Sequence, residues 1–272
     1  QLDKDYVIKS ITGNTEVGVA TVEIEGTGSY SGTKSLEFNI VPKPIEDCTI
    51  TGIEDTQYEM GAAIEPAVTV KNGTVELVQG RDYTLAFNNN IDVSDSAEVV
   101  ITAKSSNYTG DATKIFKITP VSITAAGNGV SITNADATQE YTGTDIEPEI
   151  KITRYYNRKI YTLEQGKDYT VVYENNREVT GSGDRASITV TGTGNFSGQT
   201  VIRFEISKRS ISSCAVESVP DQQWTGSEIK PDVAVYNGII KLENGGDYDV
   251  IYSDNTDEGE ASYTVIGKGD HY

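Results

Sequence analysis

The chain is poor in the side chains that most chemistry needs. Its 272 residues hold one His, one Met, one Trp and two Cys. Imidazole-dependent acid–base or nucleophilic catalysis has only His271 to work with, and such catalysis needs a base beside a nucleophile. Two cysteines make no disulfide scaffold. Cations are also scarce: 22 Lys plus Arg stand against 41 Asp plus Glu, a formal net charge of −19. Phosphate backbones and anionic headgroups require clustered cations, so neither nucleic acid nor a membrane surface is expected as a partner. No apolar run approaches the roughly 18 residues of a bilayer span, and Gln1-Leu2-Asp3-Lys4-Asp5 is not the start of a signal peptide.

Tyr (16) and Gly (26) are plentiful, and their positions repeat. Asp-Tyr recurs at Asp5-Tyr6, Asp82-Tyr83, Asp168-Tyr169 and Asp247-Tyr248, the last three preceded by Gly80, Gly166 and Gly245. Upstream lies a second mark: Tyr58 with Ile64-Glu65-Pro66, Tyr141-Thr142-Gly143 with Ile146-Glu147-Pro148, and Trp224-Thr225-Gly226 with Ile229-Lys230-Pro231. Downstream lies a third: Gly26-Thr27-Gly28-Ser29-Tyr30, Asn107-Tyr108-Thr109-Gly110, Gly192-Thr193-Gly194-Asn195-Phe196 and Gly267-Lys268-Gly269-Asp270-His271-Tyr272. The steps from Tyr6 to Tyr30, Tyr83 to Tyr108, Tyr169 to Phe196 and Tyr248 to Tyr272 are 24, 25, 27 and 24 residues. Ordered marks at such even offsets identify tandem duplication.

The copies divide the chain at 1–43, 44–121, 122–209 and 210–272. The first lacks its opening half and the fourth its last strand, so the chain reads as the interior of a longer array, with signal peptide and anchor outside it. Within a copy, short alternating runs such as Thr21-Val22-Glu23-Ile24-Glu25 and Ser187-Ile188-Thr189-Val190-Thr191 predict half-buried antiparallel strands. No helical periodicity is present. The expected class is all-β, with six or seven strands per complete copy arranged as tandem small Ig-like sandwiches in an elongated array. A β-grasp-like module is the alternative, should the segment before each Asp-Tyr pair be a helical turn, and at most a single turn is expected, near Leu163-Glu164-Gln165-Gly166.

The recurring residues have structural explanations. Asp accepts hydrogen bonds from turn amides, Tyr buries its ring, Gly-x-Gly makes a tight turn, and Ile-x-Pro starts an edge strand. Asn88-Asn89-Asn90 and Asn175-Asn176 supply turns. Cys48 and Cys214 follow Ile45 and Ile211 by three, as Ala126 follows Ile123, which predicts small core positions and two free thiols. The acidic loops Asp92–Asp95 and Asp254–Glu260 match no calcium loop, and no cofactor is expected.

These marks resemble a tandem repeat of Firmicutes cell-surface proteins, Tyr-Thr-Gly-x-x-Ile-x-Pro, then Gly-x-Asp-Tyr-Thr-Val, then Gly-x-Gly-Asn-Tyr-x-Gly. The third copy matches best, while Ala103-Lys104-Ser105-Ser106 departs from the Gly-x-Gly pattern. The resemblance implies Ig-like or adhesin-type modules in an extracellular, non-catalytic, monomeric stalk joined by short links such as Val41-Pro42-Lys43-Pro44. The third copy alone carries four extra residues within Arg154-Tyr155-Tyr156-Asn157-Arg158-Lys159-Ile160-Tyr161. Three rings and three cations in an acidic chain make Tyr155, Tyr156, Arg158 and Tyr161 the candidate ligand-binding arm, for a host or cell-wall glycan or another surface protein.

Overall fold

The computed structural model describes residues 1–125, 127–133, 138–181 and 185–272, so Ala126 lies outside the described residues. Among these the chain is all-β: many short strands in ten small sheets, with two single-turn 3-10 elements, Ile45–Asp47 and Ile211–Ser213. It divides into two compact units, Gln1–Pro120 and Val121–Tyr272.

In the first unit, Tyr6–Thr12, Gly18–Gly26 and Thr33–Ile40 form an antiparallel meander. The second copy is a two-sheet sandwich. One sheet runs in the order Thr56–Gln57, Asp111–Thr119, Ser94–Ala103, Tyr83–Asn88, and the other joins Thr49–Thr51, Thr69–Asn72 and Val75–Glu76. Their inner faces share one core of Val70, Leu77, Tyr83, Val99, Ile101, Phe116 and Ile118. Val99 and Ile101 are fully buried. At the equivalent places in the meander, Val22 and Ile24 are only half-buried, since no second sheet lies over that face among the described residues.

In the second unit, the third copy pairs Val130–Thr133, Lys151–Tyr156 and Lys159–Thr162 in one sheet and Tyr169–Glu174, Ala186–Gly192 and Gln199–Phe204 in another. The fourth has Ala215–Val216, Val235–Asn237 and Ile240–Lys241, with Tyr248–Ser253 paired to Ser262–Gly267. Tyr248, Val233, Val235 and Leu242 centre its core.

Each repeated mark has a bond to account for it. The Asp carboxylate accepts a turn amide: Val78 N to Asp82, Glu164 N to Asp168 and Glu243 N to Asp247, at 2.7, 2.9 and 2.8 Å. The Asp main-chain carbonyl accepts an amide from the downstream turn in all four copies, whether or not that turn is Gly-x-Gly: Thr27 to Asp5, Lys104 to Asp82, Thr193 to Asp168 and Lys268 to Asp247. The next residue sinks its ring, leaving Tyr83, Tyr169 and Tyr248 at most 4% exposed. The glycine two before Asp is left-handed, with φ 84°, 86° and 89° at Gly80, Gly166 and Gly245. The first copy puts Asp3 there at φ 66°, and Asp tolerates that region better than most side chains.

Four expectations are corrected. The second and third copies contain nine and ten strands among the described residues, because bridges of two residues add to the longer strands. The segment before Asp-Tyr is, as expected, no more than a single turn, closed by an i→i+4 bond such as Asp168 N to Glu164 O at 2.8 Å. Ile-x-Pro starts no strand. Instead Ile and the last turn Asn grip each other: Ile146 N donates to Asn176 O at 2.7 Å, and the Asn176 carboxamide donates to Ile146 O at 3.1 Å. Ile64 with Asn90 and Ile229 with Asn255 repeat this pair of bonds. Half of the link Val41–Pro44 is not a link, since Lys43–Pro44 pairs in parallel with Tyr108–Thr109 and belongs to the second copy's fold. Both cysteines are free, but only Cys48 is buried and Cys214 is half-buried.

Candidate functional site

The four extra residues lengthen one hairpin by two residues on each strand. Equivalent hairpins turn at Gly73-Thr74 and Gly238-Ile239, after the closing pairs Asn72↔Val75 and Asn237↔Ile240. In the third copy, pairing runs from Thr153↔Thr162 out to Tyr156↔Lys159, with Asn157-Arg158 at the tip. Both tip residues are left-handed, φ 47° and 63°. That geometry suits the strand twist of a two-residue hairpin loop, but costs a non-glycine residue on the order of 1 kcal/mol.

The period of two divides the predicted arm between faces. Tyr156 and Tyr161 share one face with Arg154 and Lys159, and each ring is covered: the Arg154 guanidinium lies 4.7 Å from the Tyr156 ring centre, and the Lys159 ammonium 4.7 Å from that of Tyr161. Such a pair contributes about 0.5–1 kcal/mol at an exposed site. Tyr155 is on the other face, opposite Ile160, and the two are 58% and 67% exposed. Arg158 is exposed at the tip. The four candidates are thus brought onto one hairpin but not onto one surface.

Arg154 itself is buried, 3% exposed. It takes the place of Asn72 and Asn237, whose carboxamides donate to the hydroxyls of Tyr108 and Tyr272 at 3.4 and 3.1 Å. The third copy has Phe196 in place of that tyrosine, so a hydroxyl and its partner change together.

Sequence reasoning missed a second constellation, where the third and fourth copies meet. Tyr141 stacks on His271, with ring centres 4.3 Å apart and planes 9° apart, and meets Tyr272 edge-on at 5.9 Å. His271 Nε2 lies 2.7 Å from Glu178 Oε2, and the Arg209 amide donates to His271 O at 2.9 Å, while the Arg209 side chain bridges to Glu140 within the third copy at 3.2 Å. Asn237 donates to Thr142 O at 3.2 Å. Gly143 is left-handed (φ 81°), and a Cβ there would lie 2.5 Å from Ile240 Cδ1. Burial raises the Tyr141 phenol above its ordinary pKa, and the nearby Glu178 carboxylate raises it further. The Tyr-Thr-Gly mark is therefore a seat for the following copy, and His271, far from an isolated end residue, is one of its fittings. In the first unit the same turn of the second copy reaches back to the first. Asn107 Oδ1 accepts the Val17 amide at 2.9 Å, and its carboxamide donates to Glu16.

Among the described residues, no group of three or more His, Cys, Asp and Glu side chains could hold a metal ion, and no helix is long and apolar enough to cross a membrane. Asp92-Val93 bends into the strand Ser94–Ala103, which takes in Asp95, and Asp254–Glu260 lies in the turn between Tyr248–Ser253 and Ser262–Gly267. No protein-family model matches the chain, and no curated protein matches it.

Proposed function

We propose that the chain is a non-catalytic repeat segment of a bacterial cell-surface protein, extracellular and monomeric, serving as a spacer or stalk built of Ig-like modules. The observation that carries this reading is where the repeated side chains are spent. The Asp-Tyr pair, the Ile of Ile-x-Pro and the turn Asn that recur in copy after copy are engaged in bonds inside their own copy, and a residue needed in every copy is usually needed to make the copy. The seat around Tyr141 supports the mechanical part of the proposal. A stacked ring pair, the hydrogen bond from Asn237 to Thr142 and a left-handed glycine constrain one copy against the next more tightly than a flexible linker would. Small-angle scattering from the whole chain and its Tyr141→Ala variant tests this. A stalk requires the variant to sample a broader range of dimensions than the parent. Identical scattering would remove the mechanical argument.

A second reading is favoured by one observation, the exposed pair Tyr155 and Ile160 on a projecting hairpin. On that reading the third copy carries a contact for a glycan or a protein, with Arg158 at the tip. A glycan array probed with the parent and with the Tyr155→Ala/Tyr156→Ala double variant separates the two. Signal from the parent alone supports the arm, and equal silence leaves the spacer.

A further inference from the structure

The sheet that carries the long hairpin has Lys151–Tyr156 at its centre, between Val130–Thr133 and Lys159–Thr162. Side chains alternate across it, and Ile152 and Arg154 turn inward, 0% and 3% exposed. Lys151, Thr153 and Tyr155 therefore share the outer face. The register sets Ser131 and Thr162 beside Thr153, and Ile160 beside Tyr155. All of these but the half-buried Thr153 are exposed. The corresponding face of the second copy stops one rung earlier, at Lys71, the counterpart of Thr153, which Glu76 neutralises at 3.5 Å.

Charge singles out the same place. The whole chain carries −19, yet residues 151–162 hold four cations and no acid. The nearest acids in sequence, Glu149 and Glu164, flank the segment at its base. Arg154 is buried over the Tyr156 ring and Lys159 lies over Tyr161 on the opposite face. That leaves Lys151 at the base of the outer face and Arg158 at the hairpin tip, both exposed. Neither is in an ion pair among the described residues. The area decides what kind of partner fits. Three strands and the rungs from Lys151 to Tyr155 make a face of roughly 10 by 13 Å. That is the footprint of about two sugar rings, far short of the ~800 Å² each partner gives to a standard protein interface.

We infer that this outer face is a binding site for a glycan of carboxylate-bearing sugars, stacked on Tyr155 and held by Lys151 and Arg158. The Tyr155 ring, flanked by Ile160, offers an apolar plane to one face of a pyranose. The hydroxyls of Ser131, Thr153 and Thr162 donate to and accept from sugar hydroxyls. The Arg158 guanidinium matches a carboxylate in two parallel bonds, and the Lys151 ammonium adds attraction at the other end. Tyr156 and Tyr161, on the opposite face, take no part. The inference rests on the second reading above, that the hairpin is a contact site, and gives that site its ligand class.

The whole chain, labelled with nitrogen-15, is titrated with trigalacturonate, with its methyl ester and with hexaglutamate while backbone amide shifts are followed. The expected result is saturable shifts at residues 153–155 and 160–162 with trigalacturonate. Esterification should weaken binding at least tenfold, as should the Lys151→Gln/Arg158→Gln double variant, and Tyr155→Ala should abolish it with the circular dichroism unchanged. Equal binding of the acid and its ester overturns the carboxylate assignment and leaves the hairpin as a glycan contact. Shifts from hexaglutamate as strong as those from trigalacturonate overturn the glycan in favour of an acidic protein segment. Silence toward all three at millimolar concentration overturns the inference together with the reading it rests on.

Discussion

Ile146 and Asn176, 30 residues apart in sequence, exchange two hydrogen bonds: the Ile146 amide to the Asn176 carbonyl at 2.7 Å and the Asn176 carboxamide to the Ile146 carbonyl at 3.1 Å. The exchange ties the strand-to-strand turn of one sheet to the chain segment that precedes the Asp-Tyr turn. It also explains why the last asparagine of the turn recurs as Asn90 and Asn255.

Asn176→Ala removes one of these bonds and leaves a carbonyl without its donor. The expected loss is about 1–2 kcal/mol, seen as a lower midpoint for the transition of the third copy in calorimetry of the whole chain. Asn176→Asp places a carboxylate against a carbonyl and is expected to lose more. If neither variant moves the transition, the pairing contributes nothing to stability.

Tyr141→Ala removes the stack on His271. An aromatic pair of this kind contributes roughly 0.5–1.5 kcal/mol beyond its burial, and here that energy couples two copies. Calorimetry should show the third and fourth copies melting further apart in temperature than in the parent. Gly143→Ala should act in the same direction, because its methyl would meet Ile240. Unaltered melting in both variants would mean that the seat transmits no coupling.

Burial raises the phenol pKa of Tyr83, Tyr169, Tyr173, Tyr248 and Tyr252 above the ordinary value. A raised native pKa means that the folded state holds its proton more tightly than the unfolded one. The stabilisation is complete below the unfolded phenol pKa of about 10 and is lost as pH rises through the folded values. The phenolate absorbance should therefore appear in two stages: exposed tyrosines first, and the buried set together with loss of β-sheet circular dichroism. A single smooth titration with the sheet signal intact would contradict this.

At the acid end the sign reverses. The hydrogen bond from Arg81 holds the Asp82 carboxyl below its ordinary pKa, and the Val78 amide adds to that, against the opposing effect of burial. The resulting stability is present above the unfolded carboxyl pKa of about 3.9 and disappears as pH falls through the native value. Acid unfolding of the second copy should begin below pH 4, and Arg81→Ala should flatten its pH dependence in that range. A slope left intact in the variant would assign the effect to other carboxylates.

The repeat, the all-β class and the roles of Asp and Tyr within a copy were legible because their partners are near in sequence. Asp168 reaches an amide four residues away, and an alternating strand such as Ala186–Gly192 declares its buried face by period. What stayed hidden depends on distant partners. Nothing near Asn176 announces Ile146, so the asparagine reads only as a turn residue. Tyr-Thr-Gly reads as local turn chemistry until Asn237 and His271, about 95 and 130 residues later, are placed against it. The arm was legible as a longer hairpin, yet its division into two faces depended on the pairing register of Tyr156 with Lys159. The four extra residues do not state that register.

The account rests on the repeated carboxylates serving the fold of their own copy, and native-state hydrogen exchange of Asp168→Ala in the whole chain tests it most directly. The account predicts faster exchange in Tyr169–Glu174 and Ala186–Gly192, with the matching strands Tyr83–Asn88 and Ser94–Ala103 protected as in the parent. Protection unchanged throughout the third copy would contradict it.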